Sequence, residues 1–211
     1  MTTRKKAALH NLGCKVNAYE TDAMQQLLEE NGYEIVPFTE CADVYVINTC
    51  SVTNMADRKS RQMIHRARKK NPQAIVVAAG CYVQTSTEEV MEDLAVDIVI
   101  GNNQKNHLVD CIAEFENKNH PVCAENAEQG AQSRNTEKRV VDCIDINKDE
   151  QEYEYFLVNK TAEHTRAFIK VQDGCNQFCS YCIIPFARGR VRSRSREDVV
   201  REITGLVAQG Y

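Results

Sequence analysis

The sequence predicts an α/β fold: an open, doubly wound parallel sheet at the N-terminus, followed by one further βα unit. Three observations predict it. Apolar runs of strand length alternate with segments of helical periodicity. The runs lack polar alternation, as strands covered on both faces do. Several of them end in Gly-Cys or Asn-Thr-Cys, the abrupt turns of strand tips.

In chain order, Lys6–His10 is a short apolar-leaning stretch ending in Leu12-Gly13-Cys14. Residues 17–31 form a helix with Tyr19, Ala23, Met24, Leu27 and Leu28 on one face, Asn17 as its cap and Asn31-Gly32 as its stop. Val44–Ile47 is a buried strand running into Asn48-Thr49-Cys50. Ser51–Lys70 is a long helix ended by Asn71-Pro72. Ala74–Ala79 is a strand running into Gly80-Cys81. A shorter helix around Thr87–Leu94, a strand at Val96–Ile100 and a helix at 104–117 complete the pattern. Such alternation implies right-handed crossovers and a parallel sheet over residues 1–118.

Residues 119–165 change character. Asn, Gln, Glu and Asp dominate, and residues 142–154 hold six acids. This segment is expected to be an acidic connector with short strands at Val140–Ile146 and Tyr153–Val158. From residue 166 the pattern tightens: Ala167–Val171 is an expected strand, and Ser195 with Asp198 forms a capping box for a last helix carrying Val199, Val200, Ile203, Leu206 and Val207. One βα unit has no partner strands to bury it, so a longer chain is expected.

Composition narrows the function. With 211 residues and 43% apolar content, the chain can bury a real core. The formal net charge of −4 provides no global field toward nucleic acid, so RNA contacts must come from local patches. No secretory h-region and no membrane-length apolar run occur, which points to a soluble, cytoplasmic protein. Ten cysteines in such a protein point to metal or thiol chemistry rather than disulfides.

Two constellations stand out. Cys175, Cys179 and Cys182 lie at spacings that let three thiolates converge from one loop, as iron–sulfur ligands do; a four-iron cluster held by three sulfurs keeps one iron open. Zinc is the rival, with His164 as a conceivable fourth ligand. Cys14, Cys50 and Cys81 lie 36 and 31 positions apart, about one βαβ step each. Each follows an expected strand, so all three fall at the carboxyl edge of the sheet, where ligands bind. They form a shared metal site or are loop cysteines. Cys41, Cys111, Cys123 and Cys143 lack partner spacing and are expected to be structural. His10, His65, His107 and His120 show no ligand spacing.

Together, Leu12-Gly13-Cys14-Lys15-Val16-Asn17, Asn48-Thr49-Cys50-Ser51-Val52, Gly80-Cys81 and the stretch from Gln172-Asp173-Gly174-Cys175 to Cys182-Ile183-Ile184-Pro185 resemble the methylthiotransferase family of radical S-adenosylmethionine enzymes. The resemblance runs to Tyr211 and is weakest in the connector. It implies that Cys175, Cys179 and Cys182 bind the [4Fe–4S] cluster that reduces S-adenosyl-L-methionine, and that Cys14, Cys50 and Cys81 bind an auxiliary [4Fe–4S] cluster that supplies or carries sulfur. It implies a net conversion of C–H into C–S–CH₃, a second S-adenosylmethionine as methyl donor and a reductant protein as electron source. It makes residues 166–211 the start of a radical S-adenosylmethionine (β/α) barrel that continues beyond this sequence, so that this chain alone is expected to assemble the auxiliary cluster without turning over.

Within the family, Lys15-Val16-Asn17, Ala56-Asp57-Arg58-Lys59-Ser60-Arg61 and Pro185–Arg190 look most like the branch acting on threonylcarbamoyladenosine in the tRNA anticodon loop. The isopentenyladenosine and ribosomal-protein branches are alternatives. A non-catalytic iron–sulfur or zinc RNA-binding module is an alternative of another class.

Two basic features remain. Arg58, Lys59, Arg61, Arg66, Arg68, Lys69 and Lys70 crowd one helix with Asp57 as its only acid. They meet RNA phosphate, or they form an ordinary solvated face whose inward side is Val52, Ala56, Met63, Ile64 and Ala67. Arg188, Arg190, Arg192, Arg194 and Arg196 alternate, and in an extended stretch all five would lie on one side, to hold RNA phosphates or a cofactor carboxylate, or they belong to a mobile loop.

Overall fold

The computed structural model describes residues 4–119, 138–156, 158 and 166–211. Cys123, His120 and His164 lie outside the described residues. A six-stranded sheet is built from β1 (Lys6–Asn11), β2 (Glu34–Ile35), β3 (Val44–Thr49), β4 (Ile75–Gly80), β5 (Ile98–Ile100) and β6 (Val140–Asp142). Its order is β2-β1-β3-β4-β5-β6 and every pairing is parallel. The order reverses between β1 and β3, which places the topological switch point at their carboxyl ends.

The absence of polar alternation has a direct cause in packing. All six residues of β3 are buried. Val44 and Val46 pack on one side with Met24 and Leu28 of α1 (Lys15–Glu30) and Leu108 and Ile112 of α5 (Leu108–Asn119). Tyr45 and Ile47 pack on the other with Ile64 and Ala67 of α2 (Asn54–Lys70). Between β4 and β5 the chain makes two short helices, α3 (Cys81–Thr85) and α4 (Thr87–Glu92), where one was expected. A 3₁₀ turn (Lys105–His107) precedes α5. Each fully buried Val, Leu or Ile contributes about 1.5–3 kcal/mol, so the two apolar layers carry this half of the molecule.

Several boundaries differ from expectation. The first helix begins at Lys15 with Cys14 as N-cap; Asn17 lies inside the first turn, fully buried, and does not cap it. The second helix begins at Asn54, not Ser51, because the Thr53 side chain accepts from Ala56 N at 3.1 Å. The acidic segment contributes β6 to the parallel sheet, shorter than Val140–Ile146. Tyr153–Phe156 is not a strand; Phe156 and Val158 pack on Tyr19 and Ala23 instead.

Residues 166–211 depart further. Ala167–Val171 forms no strand, although Arg194 N donates to Val171 O at 2.9 Å. The strand is β7 (Gln172–Asp173), antiparallel to β8 (Arg192–Ser193). Pro185 opens a short helix, α6 (Ile184–Arg188), which Gly189 ends at φ +72°. That helix breaks the alternation of arginines: Arg188, Arg192 and Arg194 are buried, while Arg190 and Arg196 are exposed. Helix α7 (Arg196–Ala208) starts at the expected box, with Ser195 Oγ accepting from Asp198 N at 3.2 Å and donating to Asp198 Oδ2 at 2.6 Å. Among the described residues no helix is long and apolar enough to cross a membrane.

Candidate metal centre

The three distant cysteines arrive at one edge because β1, β3 and β4 are adjacent and parallel. Cys14 stands at the start of α1, Cys50 directly after β3 and Cys81 directly after β4. Gly13 turns at φ +109°, and a Cβ there would lie 2.7 Å from Cys50 Sγ. Glycine therefore lets Cys50 pack directly against the first loop. Cys50 and Cys81 are each 3% exposed, and Cys14 is exposed. The Cys50 thiol is pushed up by burial and then by the neighbouring Cys81 and Cys14, while Arg188 opposes the rise. Three soft donors thus gather at the switch point, a donor set of the kind that iron–sulfur clusters take. Among the described residues no three His, Cys, Asp or Glu side chains are already at metal-ligand spacing, so ligation requires the thiols to close in.

The second trio lies on the loop between β7 and α6. Gly174 opens it at φ +75°, and a Cβ there would sit 2.0 Å from Arg190 O. Cys175 N donates to Gly189 O at 3.0 Å and Cys182 N to Cys179 O at 2.9 Å, which closes the loop into a compact turn. Phe178 adopts φ +47°, packs edge-on against Phe186 at 5.9 Å and lies under the Arg190 guanidinium at 4.2 Å. Cys179 is exposed, and Cys175 and Cys182 are half-buried. The open thiols suit the same soft chemistry.

Sequence reasoning missed the polar cluster between the two trios. Glu20 of α1 is 1% exposed and pairs with Lys105, with Lys170 at 2.7 Å and with Arg188 at 2.8 Å. Asp173 pairs with Lys170 at 2.8 Å and Arg188 at 3.1 Å. Burial alone would raise the Glu20 carboxyl, but Arg188, Lys105 and Lys170 outweigh it and hold it well below the usual range. Glu20 follows Asn17 by three residues, so one helix face carries both, yet nothing in the sequence marks that glutamate as buried. Arg194 is likewise consumed internally, by Glu202. The five arginines therefore do not form a shared anion-binding comb.

The basic helix divides. Arg61 bonds to Glu89 at 3.0 Å and Tyr82 Oη at 3.1 Å, and Arg68 bonds to Asp97 and to Ala74 O at 2.6 Å. Arg58, Lys59, Arg66 and Lys69 are exposed. Ile64 and Ala67 face inward as expected, whereas Val52 precedes the helix and is 54% exposed. His65 and His107 bond to Asp93 (2.8 Å) and Asp142 (2.7 Å), and His10 stacks on Phe38. Cys41 is exposed. Cys111 is buried, its thiol raised by burial to about 12, and Cys143 lies 3.4 Å from Thr87 Oγ1.

Comparison with known proteins adds to this geometry. A family model described as "Uncharacterized protein family UPF0004" matches residues 6–101. Threonylcarbamoyladenosine tRNA methylthiotransferase MtaB of Bacillus subtilis (strain 168) is 43% identical over 204 residues, covering 97% of this chain and 41% of that protein. The protein of the same name from Aquifex aeolicus (strain VF5) is 40% identical, covering 98% and 46%. A tRNA-2-methylthio-N(6)-dimethylallyladenosine synthase of Clostridium perfringens is 30% identical, covering 99% and 43%. The chain spans less than half the length of these relatives. From its three strand-tip cysteines through its CxxxCxxC loop, the chain is similar to the N-terminal part of these methylthiotransferases.

Proposed function

We propose that this chain is the N-terminal part of a tRNA methylthiotransferase that converts C–H into C–S–CH₃ on threonylcarbamoyladenosine in the anticodon loop. Residues 1–118 would form the auxiliary-cluster domain, 119–165 the connector and 166–211 the first βα unit of a radical S-adenosylmethionine barrel. Cys14, Cys50 and Cys81 would hold one [4Fe–4S] cluster, and Cys175, Cys179 and Cys182 the other. When bound, the clusters and S-adenosylmethionine supply electron transfer, hydrogen abstraction, sulfur and the methyl group. A cytoplasmic reductant protein would supply electrons.

The chain's own contribution is placement. Adjacent parallel strand tips deliver three thiols to one edge, and Gly13 lets Cys50 pack directly against the first loop. The shared edge position of Cys14, Cys50 and Cys81 is the observation that carries this reading, since the CxxxCxxC loop alone is common to many chemistries. The exposed cations of α2, Arg58, Lys59, Arg66 and Lys69, are suited to RNA phosphates, a contact that weakens with salt.

Anaerobic iron and sulfide analysis of the full-length protein tests the proposal. Two clusters are expected, one of them with an electron paramagnetic resonance signal perturbed by S-adenosylmethionine. Zinc without sulfide would establish the RNA-binding module instead. Nucleoside analysis of tRNA from a strain lacking the protein then separates the branches: loss of methylthio-threonylcarbamoyladenosine is expected, and loss of the isopentenyl derivative instead would move the protein to the other branch.

A further inference from the structure

Helix α6 reaches all three strand-tip cysteine loops through two asparagines. Arg188, its last residue, donates from Nη2 to Asn17 Oδ1 at 2.6 Å. Asn17 donates in turn to Leu12 O at 2.7 Å and Thr49 O at 2.9 Å, carbonyls two residues before Cys14 and directly before Cys50. On the other side, Asn102 Nδ2 donates to Ala187 O at 2.6 Å and reaches Cys81 Sγ at 3.5 Å. Asn102 is 1% exposed and Arg188 4%. Asn102 Oδ1 is buried with no hydrogen-bond partner. The guanidinium also acts electrostatically on Cys81 and Cys50.

We propose that Arg188 and Asn102 are positioning residues of the Cys14–Cys50–Cys81 centre. Arg188 sets a fixed positive charge beside it, and Asn102 holds the Cys81 sulfur against α6. The inference rests on the iron–sulfur reading above. Arg188 is not fully neutralised by its surroundings, because four cations (Lys105, Lys170, Arg188 and Arg192) share two carboxylates, Glu20 and Asp173. Net charge and hydrogen bonds to sulfur are among the factors that set a cluster's potential. A nearby cation favours the reduced, more negative form. Because Arg188 follows the CxxxCxxC loop directly, docking of that loop's unit tunes the other centre.

The test uses the full-length protein with Cys175, Cys179 and Cys182 changed to Ala, so that one centre is read. It is reconstituted anaerobically with iron and sulfide and titrated potentiometrically under electron paramagnetic resonance. For Arg188→Gln the reduced-to-oxidised ratio at fixed poise is expected to fall about tenfold, a shift of ~59 mV for a one-electron couple. Arg188→Lys, which keeps the charge, restores most of it. Asn102→Ala shifts the ratio in the same direction and alters the signal's shape. If Arg188→Gln does not fold, Asn102→Ala decides. A loaded centre with an unchanged ratio and signal in the folded variants overturns this inference alone. A parent protein that takes up no iron and sulfide overturns the iron–sulfur reading, and this inference with it.

Discussion

The two cysteine trios are held by opposite kinds of force. Cys14, Cys50 and Cys81 are set by a sheet whose strands are buried on both faces. Cys175, Cys179 and Cys182 sit on a loop whose flanking strands have two residues each and whose anchor is a buried ionic cluster. Apolar layers are non-directional and tolerate hydrophobic swaps that conserve volume. A buried ion cluster depends on every partner, because one lost charge strands the others. The first trio is therefore expected to survive perturbations that displace the second.

The largest expected effect is at Glu20, where the two regions meet. Glu20→Gln keeps the side-chain volume but removes the carboxylate that pairs with Lys105 and leaves Lys170 and Arg188 with Asp173 as their remaining partner among these pairs. Breaking a buried pair on one side costs about 3–5 kcal/mol. Urea unfolding is expected to show that loss, with residues 166–211 exchanging amide hydrogens faster than β3 and β4. Equal acceleration in both regions would mean that the ion cluster supports the whole molecule and not its second part.

The same contrast explains what the sequence could show. The sheet was legible because an uninterrupted run such as Val44–Ile47 admits few other fates, and the capping box at Ser195 acts through neighbouring residues. The positions of Cys14, Cys50 and Cys81 followed from the strands before them. The two-residue strand β2 was not legible, since Glu34–Ile35 carries no period. Asn17 reads as a cap because its residue type favours caps, but tertiary contacts to Leu12 and Thr49 carbonyls claim its amide. The arginines misled for the same reason. Alternation describes an extended chain, and neither α6 nor the distant partners Glu20 and Glu202 can be read from the local pattern.

A milder effect is expected inside the apolar layers. Ile47 is fully buried in β3. Ile47→Val removes one methylene and should cost about 0.5–1.5 kcal/mol, with iron and sulfide uptake by the proposed Cys14–Cys50–Cys81 centre unchanged. Loss of that uptake in the folded variant would show the edge to be as exacting as the ionic cluster, and the contrast between the two trios would fail.

The smallest effect separates burial from pairing within the ionic region itself. Glu154 is 6% exposed; its Oε1 accepts from Asn106 N at 2.8 Å, and its Oε2 is buried with no hydrogen-bond partner. Burial raises its carboxyl above the ordinary value of 4.5, and the attraction of Lys105 and Lys170 does not fully offset the rise. The sign follows from linkage. The folded state holds this proton more tightly than the unfolded state. The stabilisation is present below the unfolded value and is lost as pH rises through the higher folded value, so near neutral pH the carboxylate is carried at a cost. Glu154→Gln keeps the acceptor for Asn106 and removes the ionisation. It is expected to raise stability at neutral pH by about 1 kcal/mol or less, within the usual range for one hydrogen-bonding group, and to match the parent protein at acidic pH. Thermal unfolding across that pH range measures the difference. A variant less stable than the parent at neutral pH would mean that Lys105 and Lys170 depend on Glu154 as a counter-charge, which would enlarge the ionic cluster by one member.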